Sequence, residues 1–199
     1  MGGLRLFCHR ARLVGDAMTN SPQSPLPWSV AAASDRKDIL RCIELAGNSF
    51  PVDSRYAVGA VIYTRSGGKY EGVNFEDGAG LAICAERAAL VAALTAGDPW
   101  VSRVVVAGLY PHEPLSCSFP CAPCGHCRQA LLRLANEQSP SSNVEIVYFD
   151  PSRLEVYRSD IRSLLPSAYT DKRDDLREWR RSAQLSLADL VTKLCSSSE

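Results

Sequence analysis

Two helix starts in this chain carry cysteine, and together they constrain the fold more than any other feature. Cys84-Ala85-Glu86 heads an Ala- and Leu-rich run that stops at Gly97, the composition and ending of a helix. Pro123-Cys124-Gly125-His126-Cys127 heads a second run to about Asn136, with Leu131, Leu134 and Ala135 on one side. Between them Arg103–Ala107 is a run of Val that suits a strand buried on both faces. Parallel helices entering from one sheet edge bring their N-termini together, so the thiols of Cys84, Cys124 and Cys127 converge. The partial positive charge of a helix N-terminus favours the thiolate form that a metal needs. Three protein ligands leave the fourth zinc position open, as a catalytic site requires. Glu86, just past Cys84, is placed to face the metal without ligating it.

The remaining chain builds a layer structure around these pieces. Ser34 caps a helix from Asp35 to about Asn48, with Ile39, Leu40, Ile43 and Ala46 as its apolar stripe. Val58–Tyr63 and Lys69–Val73 read as strands joined by the turn Arg65-Ser66-Gly67-Gly68. Val144–Phe149 is a buried strand and Val156–Arg158 a last short one. The order predicts an α/β fold, a three-layer α/β/α sandwich with a mixed five-stranded sheet. Residues 1–33, with Pro22, Pro25 and Pro27, read as an extension and linker; residues 34–169 form the domain; residues 170–199 form a charged helical tail. In that tail Leu176, Trp179 and Ala183 make one stripe. A capping box at Ser186–Asp189 precedes Leu187, Leu190, Val191 and Leu194, which suggests a pair of surface helices.

Charge and compartment narrow the partners. The chain has 22 basic and 22 acidic residues, which argues against a phosphate backbone as its main partner. No stretch of 18 apolar residues offers a membrane span. Arg5, Arg10 and Arg12 are not followed by an apolar run, so the secretory pattern fails, and Met1–Leu6 lacks the hydroxyl residue of a myristoylation site. The expectation is a cytoplasmic protein, with organelle targeting by the basic residues 1–17 left open. In a reducing compartment the eight cysteines bind metal or do chemistry more readily than they form disulfides. Cys121-x-x-Cys124 and Cys124-x-x-Cys127 overlap, so spacing alone does not choose between the two pairs.

Taken with their neighbours, these residues resemble the zinc-dependent cytidine deaminases of the three-cysteine, homotetrameric type. The resemblance lies in Cys84-Ala85-Glu86-Arg87 and in Pro123 through Gln129. Tyr56-Ala57-Val58-Gly59-Ala60, Gly72-Val73-Asn74-Phe75-Glu76 and Leu164-Leu165-Pro166 extend it, so that it runs from about Ile39 to Tyr169. Its register identifies Cys124 and Cys127, not Cys117 or Cys121, as the ligand pair beside Cys84. It implies one Zn2+ per subunit, Glu86 as the catalytic proton shuttle, and hydrolytic deamination of free cytidine or deoxycytidine in pyrimidine salvage. It implies that Asn74 and Glu76 hold the ribose 3′-hydroxyl, that Ala85 offers backbone groups to the base, and that Tyr56 lies beside the pyrimidine where Phe is usual, its hydroxyl needing a partner. Arg87, and after it Arg128, would compensate the thiolate charge. Tyr169 would cross into a neighbouring subunit's site. His126 and Gln129 read as structural, and Cys8, Cys42 and Cys195 as incidental thiols. The partners implied are a small-molecule nucleoside and further copies of the chain in a tetramer, with no nucleic acid and no membrane.

One departure points elsewhere. The Asn74–Cys84 loop is short, and its Gly78-Ala79-Gly80 lacks an aromatic, which resembles blasticidin-S deaminase and offers a cytosine nucleoside analogue as the alternative substrate. A reading of another class is a structural zinc module without catalysis, which needs Cys121 or Cys117 as a fourth ligand.

Overall fold

A computed structural model describes residues 24–169 and 176–196, with the backbone alone for 176–180 and 194. Cys8, the basic stretch 1–17, residues 170–175, and the side chains of Leu176, Trp179 and Leu194 lie outside the described residues. The elements are β1 (Leu26–Pro27), α1 (Ala33–Ala46), β2 (Ala57–Thr64), β3 (Lys69–Val73), β4 (Phe75–Glu76), β5 (Ala82–Ile83), α2 (Ala85–Thr95), β6 (Val101–Leu109), α3 (Gly125–Gln138), β7 (Glu145–Asp150), β8 (Glu155–Asp160), α4 (Ile161–Leu164) and α5 (Leu176–Ser196).

One sheet runs β1-β8-β7-β6-β2-β3. β6 and β7 are parallel and the other pairs antiparallel, so the sheet is mixed as expected. Alternation along the strands sorts the core into two layers. Ala60, Ile62, Val104, Val106 and Ile146 face α2 and α3; Val61, Val105, Ala107, Val147 and Phe149 face α1. That is the three-layer sandwich.

The sheet has six strands rather than five. Leu26–Pro27, read from sequence as linker, pairs antiparallel with Val156 and Glu155 on the free edge of β8. Proline is tolerated on an edge strand, where its missing N–H removes no ladder bond. Trp28 then packs its ring 5.2 Å from that of Phe149, and Ala31 is buried.

α1 differs from expectation in start and rotation. It begins at Ala33 with Ala32 as an N-cap that makes no side-chain bond, so Ser34 is inside the helix rather than capping it. Asp35 is fully buried, bonded to Arg103 at 2.8 Å and Arg158 at 2.7 Å, and Asp38 is bonded to Arg103 at 2.7 Å and to the Tyr63 hydroxyl at 2.6 Å. These pairs turn Asp35, Asp38, Ile39, Cys42, Leu45 and Ala46 toward the sheet and leave Leu40 exposed.

β3 stops at Val73. The chain resumes as β4, which pairs with β5 in a two-stranded ribbon directly before Cys84. Gly78 and Gly80, both with positive φ, carry the turn between them. α5 is one continuous helix that runs through Ser186, so the expected capping box starts no helix; Leu185, Leu187, Leu190 and Val191 are exposed. Among the described residues no helix is long and apolar enough to cross a membrane.

Candidate active site

Cys84 is the N-cap of α2 and Cys124 the N-cap of α3, both with extended backbone and no side-chain cap bond. An anion at an N-cap meets the positive end of the helix and its unpaired N–H groups. Cys127, one turn into α3, is buried and completes the cluster. The three sulfurs lie within 4.8 Å of one another, with Cys84 and Cys124 at 3.6 Å. A tetrahedral zinc with bonds of about 2.3 Å separates its sulfurs by ~3.8 Å, so the spacing fits that ion. The electrostatics fit as well. A hydrogen bond from Cys127 lowers the Cys84 thiol to about 6, with Cys124 and the Arg87 charge adding to the effect against desolvation. Cys127 is driven up by the same contact. Binding of a dication would favour the thiolate form of these ligands.

Among the described residues no fourth metal-ligating side chain joins the cluster. Cys121 is buried elsewhere, its N–H bonded to Phe149 O at 3.0 Å, and burial pushes its thiol up. Cys117 is half-buried at the end of the short turn Leu115–Cys117. Three ligands without a fourth match an open catalytic position rather than a closed structural one. Cys42 is buried, its thiol 3.4 Å from Val105 O, and Cys195 is exposed.

Glu86 sits in the first turn of α2 and is only 5 % exposed. Burial pushes its carboxyl up to about 7, its own N–H opposes this, and Cys84 adds to it. A carboxyl poised near neutrality beside a metal site is suited to moving protons.

Asn74 and Glu76 are both buried and Phe75 between them is exposed, so the two polar residues share one face although the strand breaks between β3 and β4. Asn74 stitches the start of β2, taking the Val58 N–H at 2.8 Å and donating to Tyr56 O at 2.9 Å. Glu76 pairs through its backbone with Ala82, two residues before Cys84. Its carboxylate accepts from Ser54 and Asp53, and these bonds outweigh burial to hold it below the usual carboxylate range. The Tyr56 hydroxyl finds its partner in Gly108 O at 3.0 Å. The Tyr56 ring stacks on Phe119 at 4.7 Å and meets Tyr110 edge-on at 4.8 Å. Ala85 is fully buried at the first position of α2.

Arg87 is exposed and acts on Cys84 by its charge. Arg128, the second positive group expected near the thiolates, is bound to backbone carbonyls. Its guanidinium donates to Pro123 O at 2.7 Å and Leu164 O at 3.0 Å, tying the ligand loop to the end of α4. Gln129 bonds both backbone groups of Tyr169, donating to its carbonyl at 2.8 Å and accepting its N–H at 3.2 Å. The Tyr169 side chain is left 73 % exposed.

The sequence model of the cytidine and deoxycytidylate deaminase zinc-binding region matches residues 33–139, more than half of the chain. The chain belongs to this family. It is therefore a hydrolase of the deaminase class, and zinc is its metal, with the three-cysteine cluster as the fitting site. A probable cytidine deaminase of Dictyostelium discoideum is 30 % identical over 143 residues, which cover 69 % of this chain and 88 % of that protein. The crystal structure of a cytidine deaminase from Burkholderia pseudomallei superposes with a TM-score of 0.56 at 29 % identity, covering 70 % of this chain and all of that one. A cytidine deaminase from Mycobacterium tuberculosis, at 23 % identity and a TM-score of 0.52, covers 71 % of this chain and all of that one and shares the fold.

Asp53, Ser54, Tyr110 and Phe119 are site-side residues that the sequence does not mark. The bond of Ser54 to Glu76 spans 22 residues and has no local signal. Phe119 lies in the loop before Cys121, and its stacking on Tyr56 spans 63 residues, again without a local signal.

Proposed function

We propose that the chain hydrolyses free cytidine and deoxycytidine to uridine and deoxyuridine with release of ammonia, in pyrimidine salvage. The observation that carries this reading is Glu86, a buried carboxyl two residues beyond a thiol of the three-sulfur cluster. Cys84, Cys124 and Cys127 would hold the zinc. When bound, the zinc supplies Lewis acidity that makes a water nucleophilic near neutral pH. Glu86 takes a proton from the attacking water, carries it to ring N3, and moves a proton to the departing amino group. The backbone of Ala85 orients the base and the Tyr56 ring packs beside it. Arg87 offsets the thiolate charge.

Asn74 and Glu76 favour a sugar hydroxyl over a phosphate, since Glu76 is an ionised, buried acceptor that would repel a second anion. A substrate with a free 3′-hydroxyl is thus preferred to a nucleic acid, whose chain continues through a 3′-phosphate. Tyr169, exposed and fixed through its backbone by Gln129, is the candidate contact to a neighbouring subunit. Phe50, Val52, Phe75, Leu81 and Ile83 are exposed around the β4–β5 ribbon and support burial in a homotetramer. A second reading, a cytosine nucleoside analogue such as blasticidin S, is favoured by the short turn through Gly78 and Gly80.

The test is ammonia release by zinc-loaded protein from cytidine, deoxycytidine, deoxycytidylate and blasticidin S, with mass measured in solution. Turnover of the first two with little of the third is expected, from a tetramer. Turnover of blasticidin S alone would favour the second reading. Preference for deoxycytidylate would overturn the choice of a free nucleoside as the substrate.

A further inference from the structure

The loop ahead of β2 makes an unusual enclosure around one carboxylate. The N–H groups of Asp53 and Ser54 both donate to Glu76 Oε2 at 2.8 Å, and the Ser54 hydroxyl donates to Glu76 Oε1 at 2.6 Å. The Ser54 hydroxyl is itself oriented by the Tyr56 N–H at 3.1 Å. Successive N–H groups turned onto one oxygen form an anion nest. Arg55, whose N–H donates to Pro51 O at 2.9 Å, closes the turn in the left-handed region at φ +58°, which side-chain-bearing residues rarely adopt.

A carboxylate has about four acceptor sites. This nest fills both on Oε2 and one on Oε1, leaving a single acceptor position on Oε1. Asn74 has one N–H left on Nδ2 after donating to Tyr56 O. A free acceptor on Glu76 and a free donor on Asn74 together match one hydroxyl group, which gives a proton and takes one. They match neither a phosphate, which has no proton to give at neutral pH, nor a site with the hydroxyl removed, where buried groups would be left unpaired.

We propose that Ser54 is a positioning residue for substrate specificity, fixing Glu76 so that one carboxylate oxygen remains to read one sugar hydroxyl. The inference rests on the reading of Asn74 and Glu76 as the sugar contacts. Its test compares deoxycytidine with 2′,3′-dideoxycytidine, which lacks the 3′-hydroxyl, in the zinc-loaded native protein, Ser54→Ala and Ser54→Thr. Loss of one charge-assisted bond should raise KM for deoxycytidine about tenfold in Ser54→Ala, with kcat changed less than about twofold. KM for dideoxycytidine should move less than about twofold, and Ser54→Thr, which keeps the hydroxyl, should behave as the native protein. Added to Glu76→Gln, Ser54→Ala should have no further effect on KM. Should Ser54→Ala not fold, Ser54→Cys, near-isosteric and a weak donor, takes its place in each comparison. Equal losses on both substrates, or an unchanged KM for deoxycytidine, would overturn the role of Ser54. If the native protein already treats both substrates alike, the sugar contact itself is wrong, and the proposal falls with it.

Discussion

Gly72→Ala tests how the fold positions the catalytic helix. β3 passes directly beneath α2, and a Cβ at residue 72 would lie 2.4 Å from Ala89 N, 2.5 Å from Ala85 O and 3.0 Å from the Ala88 carbonyl carbon. Ordinary contact begins near 3.4 Å. All three neighbours are backbone, so no side-chain rotation relieves the clash, and α2 must lift by about 1 Å. Overpacking of this kind costs roughly 1–3 kcal/mol. For a chain of this size that is a fall in Tm of ~2–4 °C per kcal/mol, hence ~2–12 °C. The first turn of α2 carries Cys84 and Glu86, whereas Cys124 and Cys127 ride on α3. Lifting one helix against the other misplaces Glu86 by a distance that costs ~10²-fold in kcat. Differential scanning calorimetry and steady-state turnover of the zinc-loaded variant read both effects. Gly125→Ala is the contrast, because a Cβ there meets nothing within 4 Å and Ala favours the helix. A Gly72→Ala protein with Tm within about 1 °C and kcat within about twofold of native would refute the reasoning.

Three other outcomes follow from the same structure. Arg103→Ala leaves buried Asp38 with the Tyr63 hydroxyl but no cation and Asp35 with Arg158 alone, so urea unfolding should report a loss of ~3 kcal/mol; less than about 1 kcal/mol would mean that the pairs contribute nothing net. Tyr56→Phe removes the bond to Gly108 O and should cost about 1 kcal/mol of stability while kcat stays near native; a large loss of kcat would instead put the hydroxyl in the chemistry. Glu86 must be ionised to accept a proton, so kcat/KM should fall as pH drops through its pKa. Burial lifts that carboxyl to about 7 and a bound dication pulls it back, so the acid limb should lie between the ordinary value of 4.5 and about 7. A profile flat to well below pH 4.5 would contradict the assignment.

Most of the frame was legible because its signals are local. Five strands follow from runs such as Val104–Val106 and from the turn at Gly67–Gly68, and α2 and α3 from their composition and from cysteine at their heads. What escaped was set by distant partners. Leu26–Pro27 becomes a strand only because β8 presents a free edge more than 120 residues later. The rotation of α1 is decided by Arg103 and Arg158, so the apolar stripe alone turned Leu40 inward in error. The site shows the same division. Cys84, Glu86, Cys124 and Cys127 lie at helix starts that sequence marks, but the bonds of Arg128 to Pro123 O and Leu164 O depend on the fold and have no local signal. Gly72 belongs to the Gly72–Glu76 motif, yet only the packing of β3 on α2 says why no side chain fits there.

The central claim is that Glu86 moves the protons at a metal held by three thiols. Glu86→Gln keeps the shape and size of the side chain and removes only the titrating group, while Cys84, Cys124 and Cys127 stay in place. Zinc content by atomic absorption and ammonia release from cytidine, measured on the same sample, decide the matter. The expected result is native zinc stoichiometry with turnover reduced by ~10²–10⁴-fold. Normal turnover with zinc retained would contradict the account.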